Sequence, residues 1–342
     1  MLQAVIRSPT RFELETVPRP ALQSGDELLL KTAACGICSG DLMEWYLERK
    51  VNTVLGHEVV GYAEEVGPAI DHVKLGQLVF VHHHAPCMEC RYCCAGDHVH
   101  CRTWRQSKLD PGGMAEYIRV PAVNAHRDSF AIDDLKPETG ALIEPLACSV
   151  KALSRVPEQA RGHGVVVGCG VMGLLNLAAA KAFGVKLLWA VEPDPVRRGH
   201  ALQFGADDVF APEEFASKLS SGTLEAADFV IVGPGSPQVI LQSLIYVRNG
   251  GAVVLFTPTP TGALTPLDFD DLYFRELSLI PSYSCGPQDT RRAYELLRSG
   301  AVEANTLVTH RFGIQEIQKA YDTAKRGGDV LKVLVTFEDG SR

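Results

Sequence analysis

The sequence lacks an excess of positive charge. Its 33 Lys and Arg face 41 Asp and Glu, giving a net charge of −8, and no basic tract interrupts the balance. Nucleic acid and anionic membrane surfaces are therefore poor partners, since both are held by clustered Lys and Arg. Long hydrophobic runs are missing too. The most apolar stretch, Gly173 to Val191, is broken by Asn176, Lys181 and Lys186, which excludes a membrane span. The opening segment, MLQAVIRSPTRFELETVPRP, has neither an apolar core of signal-peptide length nor a small-residue cleavage site. A cytoplasmic location is the expectation. Internal repeats and low-complexity segments are also absent, so solenoid and fibrous architectures drop out.

Cysteine is plentiful, at ten in 342 residues. Without a secretory signal, that number argues for thiol or metal chemistry in a reducing compartment. The length exceeds one ordinary core and predicts two domains of roughly 100–200 residues each. Up to about residue 145 the chain reads as short strands broken by Gly and Pro, such as FELETV, ELLLKTAA and MAEYIRVP. Near Cys148 the texture changes. Apolar runs of strand length (GVVVG, LLWAVE, DFVIVG, AVVLFT) alternate with helix-length segments, including VMGLLNLAAAKAFG and SPQVILQSLIYVR. That alternation predicts an α/β doubly wound parallel sheet. Two further helical patterns and a strand, VLKVLVTF, close the chain.

Cys87, Cys90, Cys93 and Cys101 fall within CMECRYCCAGDHVHC. Three thiols at intervals of three and a fourth farther on can fold a loop around one tetrahedral ion, with Zn–S bonds of about 2.3 Å. Disulfides and an iron–sulfur cluster are the competing uses of four thiols. A structural zinc lobe is the reading adopted. Cys94 sits at the wrong offset, and His98 and His100 are expected to be solvated. The triplet His82, His83 and His84 is expected not to meet one metal, because neighbouring strand residues face opposite ways.

A second set is weaker on spacing alone. CGICSGD offers Cys35 or Cys38, GHE offers His57 and Glu58, and ALIEPLAC offers Glu144. One thiolate, one imidazole, one carboxylate and a water would make the open site that catalytic zinc requires. In VVVGCGVMG, Gly168, Gly170 and Gly173 follow a strand and open a helix through Val171 and Met172. This matches a pyrophosphate turn. Glu192 closes the next strand at about the offset of the acid that binds a ribose 2′-hydroxyl, favouring NAD over NADP. Arg197 and Arg198 lie close by and oppose that preference.

Assembled in this order, the residues resemble the zinc-dependent medium-chain alcohol and polyol dehydrogenases over essentially the whole length. GHEVVGYAEEVGPAI carries the resemblance, with the four-cysteine lobe and the glycine turn. It implies a GroES-like catalytic domain from residues 1–146 and 285–342 and a Rossmann NAD-binding domain over 147–284. Two zinc ions per chain, one catalytic and one structural, and a homodimer or homotetramer are likewise implied. Cys38 matches the family's ligand and Cys35 a packed thiol. His57 matches the imidazole ligand, Glu58 an acid at or just behind the metal, and Asp41 the acid behind that. Glu144 matches the third ligand, and a Glu there resembles the polyol branch. The family's relay hydroxyl is displaced, since the order here is Ser39, Gly40, Asp41. Ser39, which can also face the cofactor phosphates in the family, is one substitute, and Glu58, Glu144 or a water chain are the others.

The expected reaction is hydride transfer between a neutral secondary alcohol, polyol or sugar-like, and NAD. The alternatives are an amino-, phosphate- or CoA-linked alcohol, or a non-catalytic NAD-binding homologue. Trp45, Tyr46, Trp104 and Met114 are candidates to approach the substrate.

Overall fold

The computed structural model describes residues 1–337 of the chain. The protein divides into two compact units, Met1–Ala147 with Cys285–Arg342, and Cys148–Ser284. Among the described residues no helix is long and apolar enough to cross a membrane.

In the first unit the strands Leu28–Gly36, Glu58–Val66 and Leu78–His82 lie side by side and antiparallel. Ser129–Ala131 extends one edge. On the other side Lys332–Thr336 pairs antiparallel with Leu28–Gly36, bringing the C-terminal segment into the sheet. Leu28, Leu30, Val59 and Val79 are fully buried in one core with Ile6, Met114, Ile118 and Val333. This core fixes three strand ends at one place. Glu58 opens its strand, His82 closes its own, and Gly36 is paired with Glu58. Cysteine-rich residues 87–101 form short turns after His82, packed around Trp104.

Every strand of the second unit is parallel. In spatial order they are Asp208–Phe210, Leu187–Val191, His163–Val167, Ala227–Val232, Val247–Leu255 and Ser278–Pro281. Numbered along the chain this is 3-2-1-4-5-6, the order whose crevice at the reversal point takes a dinucleotide. The helices connecting these strands cover apolar runs such as Val165–Val167 and Val230–Val232, buried on both faces as a parallel sheet requires. One expected helix is shorter than its apolar pattern. Pro237–Ser243 is helical, a single 3₁₀ turn carries Leu244–Tyr246, and Val247 already begins a strand.

Candidate active site

Cys87, Cys90, Cys93 and Cys101 converge. Their Sγ–Sγ distances are 3.5 Å for Cys90–Cys93, 3.6 Å for Cys87–Cys101 and 3.9 Å for Cys87–Cys93. A tetrahedral ion with 2.3 Å bonds separates its ligands by about 3.8 Å, which these three separations match, and all four sulfurs lie within 4.8 Å of one another. Backbone N–H groups of Cys87 and Cys90 donate to Cys101 Sγ and Cys87 Sγ at 3.4 Å, which favours thiolates. Cys94 is exposed, outside the cluster. His98 departs from expectation. It is 95% buried, because Gly286 leaves room for its ring: a Cβ there would stand 2.5 Å from His98 Nδ1.

Cys38, His57 and Glu58 form a second group, their ligand atoms within 4.8 Å of one another. Cys38 caps the 3₁₀ turn Ser39–Leu42, its sulfur accepting from Gly40 N at 3.3 Å. That turn carries Asp41 inward, while Ser39 is exposed. His57 Nδ1 lies 3.5 Å from Asp41 Oδ2, and this buried oxygen has no hydrogen-bond partner among the described residues. A carboxylate behind an imidazole suits a ligand histidine, whose Nδ1 it would orient while the other nitrogen would be left for a metal. Burial works against the His57 imidazolium, yet Asp41, Cys38 and Glu144 raise its pKa well above the ordinary value. The same negative field attracts a cation. Burial pushes the Cys38 thiol up, opposed by His57.

Cys35 points elsewhere. It is fully buried between Gly56 and Gly113, where a Cβ would come within 2.8 Å and 2.6 Å of its sulfur. Only one thiol of CGIC therefore belongs to the site.

Glu144 does not fall within the Cys38 group; it groups with His82 and His83. Its carboxyl is raised by burial, against the pull of His57 and with the push of Glu58, which places it in the same electrostatic neighbourhood. The three histidines do not meet at one point, as expected, although His82 and His83 share a side that strand alternation alone would deny them. The strand ends at His82, so His83 is free to turn toward the same side. His84 leaves the group, its Nδ1 2.7 Å from Ser107 O. Burial and the neighbouring imidazoles hold His83 well below the usual histidine range.

The sequence reading missed Lys332. Buried and 2% exposed, it pairs with the carboxylate of Glu58 and donates to Ile37 O at 3.0 Å. Gly36 makes the space: a Cβ there would lie 2.0 Å from Glu58 Oε2. Two proposed substrate contacts are core residues instead. Trp104 packs in the cysteine lobe and Met114 in the main core, while Trp45 and Tyr46 stay half-buried.

In the second unit, Gly168 has φ +87°, and a Cβ on Gly173 would lie 1.8 Å from Gly168 O. Gly170 has open space around it and begins the twelve-residue helix Val171–Ala182. Val171 and Met172 thus present first-turn N–H groups, with no side-chain cap at Gly170. An uncapped N-terminus and open glycine fit a pyrophosphate. Glu192 is buried and preset. Its two oxygens accept from Cys169 N at 2.6 Å and Asp194 N at 3.0 Å. Arg197 Nε is buried without a hydrogen-bond partner among the described residues, and Arg198 donates to the Glu192 and Pro193 carbonyls.

Comparison with known proteins agrees with both units. Residues 24–129 match the alcohol dehydrogenase GroES-like domain, and residues 171–299 the zinc-binding dehydrogenase family. L-Threonine 3-dehydrogenase of Bacillus licheniformis is 31% identical over 343 residues, covering 95% of this chain and 96% of that protein. Sorbitol dehydrogenase of Bacillus subtilis is 28% identical, with 98% and 97% covered. A Sinorhizobium meliloti protein described as a zinc-binding dehydrogenase and bound to NADP superposes with a TM-score of 0.86 at 26% identity. That superposition covers 98% of this chain and 100% of the other. The chain belongs to the zinc-dependent medium-chain alcohol and polyol dehydrogenases, oxidoreductases of small-molecule alcohols that join a GroES-like domain to a Rossmann-type sheet.

Proposed function

We propose that this chain is an NAD-dependent dehydrogenase of a neutral secondary alcohol, a polyol or other vicinal diol, which it oxidises to the ketone. The convergence of Cys38, His57 and Glu58, backed by Asp41 and neighboured by Glu144, carries the reading. These residues would hold a zinc ion, which would supply Lewis acidity toward the alcohol oxygen, with a bound nicotinamide as hydride acceptor. Cys38 and the carboxylates would balance the ion's charge, Asp41 would orient His57, and the exposed Ser39, Glu58 or Glu144 would pass the alcohol proton outward. A second zinc belongs to the four thiolates. No disulfide joins cysteines among the described residues, which suits a reducing compartment.

Charge supports a neutral substrate. The cation nearest the metal set, Lys332, is already committed to Glu58. A second reading, an amino-acid-like alcohol, draws on the threonine dehydrogenase relatives and on Lys50, whose charge reaches Asp41 and His83. Comparing kcat/KM across matched polyols, simple secondary alcohols, threonine-like amino alcohols and phosphate- or CoA-bearing alcohols decides between them. Polyols are expected to lead. A tenfold advantage for charged members, about 1.4 kcal/mol of transition-state binding, would overturn the neutral reading. Cofactor binding without turnover of any member would favour a non-catalytic homologue.

Glu192 is read as the residue that selects NAD. In Glu192→Ala the preference for NAD over NADP is expected to fall at least about tenfold, because a carboxylate no longer repels a 2′-phosphate beside Arg197. An unchanged ratio, or native preference for NADP, would reject the assignment.

A second copy of the chain is the proposed macromolecular partner. Leu264, Phe269, Tyr273 and Phe274 are 73–91% exposed beside the edge strand Ser278–Pro281, whose free side can pair with its own copy. Sedimentation should show a dimer or tetramer that Phe274→Asp shifts toward monomer; a monomeric wild type rejects it.

A further inference from the structure

We propose that His82, His83 and Glu144, with Cys285 as a fourth donor, form a second divalent-cation position beside the Cys38–His57–Glu58 group. The proposal rests on reading that group as the catalytic set. Ligand atoms of His82, His83 and Glu144 lie within 4.8 Å of one another, and Glu144 and Cys285 satisfy the same limit. Cys285 Sγ is 3.6 Å from His82 Nε2.

His82 is built as a ligand. It is fully buried, and its Nδ1 stands 2.9 Å from Asp128 Oδ2. Asp128 is in turn fixed by the Thr290 hydroxyl, which donates to Oδ1 at 2.6 Å. Asn124 donates to the His82 carbonyl at 2.9 Å. A carboxylate that holds Nδ1–H leaves the lone pair on Nε2, the arrangement that orients metal-binding histidines. A merely structural histidine, held by Asp128 at Nδ1 and by the Cys285 thiol at Nε2, needs no second imidazole beside it. His83 supplies one, and its Nδ1 is buried with no hydrogen-bond partner among the described residues.

Two imidazoles, a carboxylate and a thiol suit a borderline ion such as zinc. Bonds of about 2.0–2.3 Å place tetrahedral ligands about 3.3–3.8 Å apart, so the side chains need close by at most about 1–1.5 Å. The two positions are neighbours, since the His57 and His83 rings are 4.8 Å apart. An ion at the second would engage Glu144 and withdraw its charge from the first, so zinc beyond the catalytic ion should depress turnover.

The zinc-loaded protein, dialysed against graded free zinc and measured by elemental analysis, is expected to take a third ion per chain more weakly than the other two. In His83→Ala and His83→Gln the Kd of that ion should rise more than about tenfold. Cys38→Ala should instead lose the catalytic ion and keep this one. With cobalt(II) as probe, Cys285→Ser should retain the additional ion but lose its thiolate charge-transfer absorption. A wild type that saturates at two ions, or a third ion unaffected by both His83 variants, overturns the second position. The catalytic reading fails separately, if Cys38→Ala retains every ion of the wild type.

Discussion

Replacing Cys38 with Ala is expected to reduce kcat/KM by at least about a thousandfold, about 4 kcal/mol of transition-state stabilisation. The reasoning is local. Cys38 is the only thiol in its group, and its sulfur is held by Gly40 N at the head of the turn that also presents Asp41. Without it the group keeps one imidazole and one carboxylate, too few for the charge balance and geometry of an open zinc site. The fold should survive, because Cys38 is half-buried at a turn and not in the core. Cys90→Ala makes the contrast. Removing one of four thiolates opens a closed site whose ion contributes on the order of several kcal/mol to the folded lobe. Thermal stability should drop, and metal analysis should show the loss of a different ion. The check is metal content, melting temperature and kcat/KM for both variants. If Cys38→Ala keeps wild-type metal content and a tenth of its activity, the site is misassigned.

The parts of the molecule that could be read from sequence were those written in contiguous residues. GVVVG, LLWAVE and DFVIVG became parallel strands because strands buried on both faces show as unbroken apolar runs. The four-cysteine lobe and the glycine turn carry their geometry in their own spacing. What could not be read depends on packing between distant segments. Lys332 lies in an apolar strand, where its burial is suggested, but nothing along the chain names Glu58 as its partner, 274 positions away. Period-two alternation was applied to His83 one residue past the strand's actual end. His98 looked solvated because the glycine that admits it, Gly286, is remote in sequence. The segment SPQVILQSLIYVR misled for another reason. An apolar run of that length fits a helix or a strand equally, and here it holds the end of one and the start of the other.

Lys332→Ala is expected to be among the most destabilising substitutions in the first unit. Lys332 and Glu58 are both essentially excluded from water, at 2% and 0% side-chain exposure. Burial alone would lower the Lys332 pKa, but Glu58, Cys38 and Glu144 outweigh it and the ammonium is held above its ordinary value. Removing the lysine strands the Glu58 carboxylate in the interior, where one Oε1 already has no hydrogen-bond partner among the described residues. Breaking a buried pair in this way costs about 3–5 kcal/mol. At about 2–4 °C per kcal/mol for a unit of this size, the melting temperature should fall by about 6–20 °C. The pair itself need not contribute that much. Replacing both residues by apolar groups is often nearly neutral, so Lys332→Met combined with Glu58→Leu should recover most of the loss in stability while remaining inactive. Lys332→Arg keeps the charge but must fit a larger group where Gly36 leaves little room, and should fall between the two. Melting curves at fixed zinc for the single, double and conservative variants test the argument. A Lys332→Ala protein within 1 °C of wild type, or a double variant as unstable as the sum of its parts, would show that the pair does not act as a buried unit.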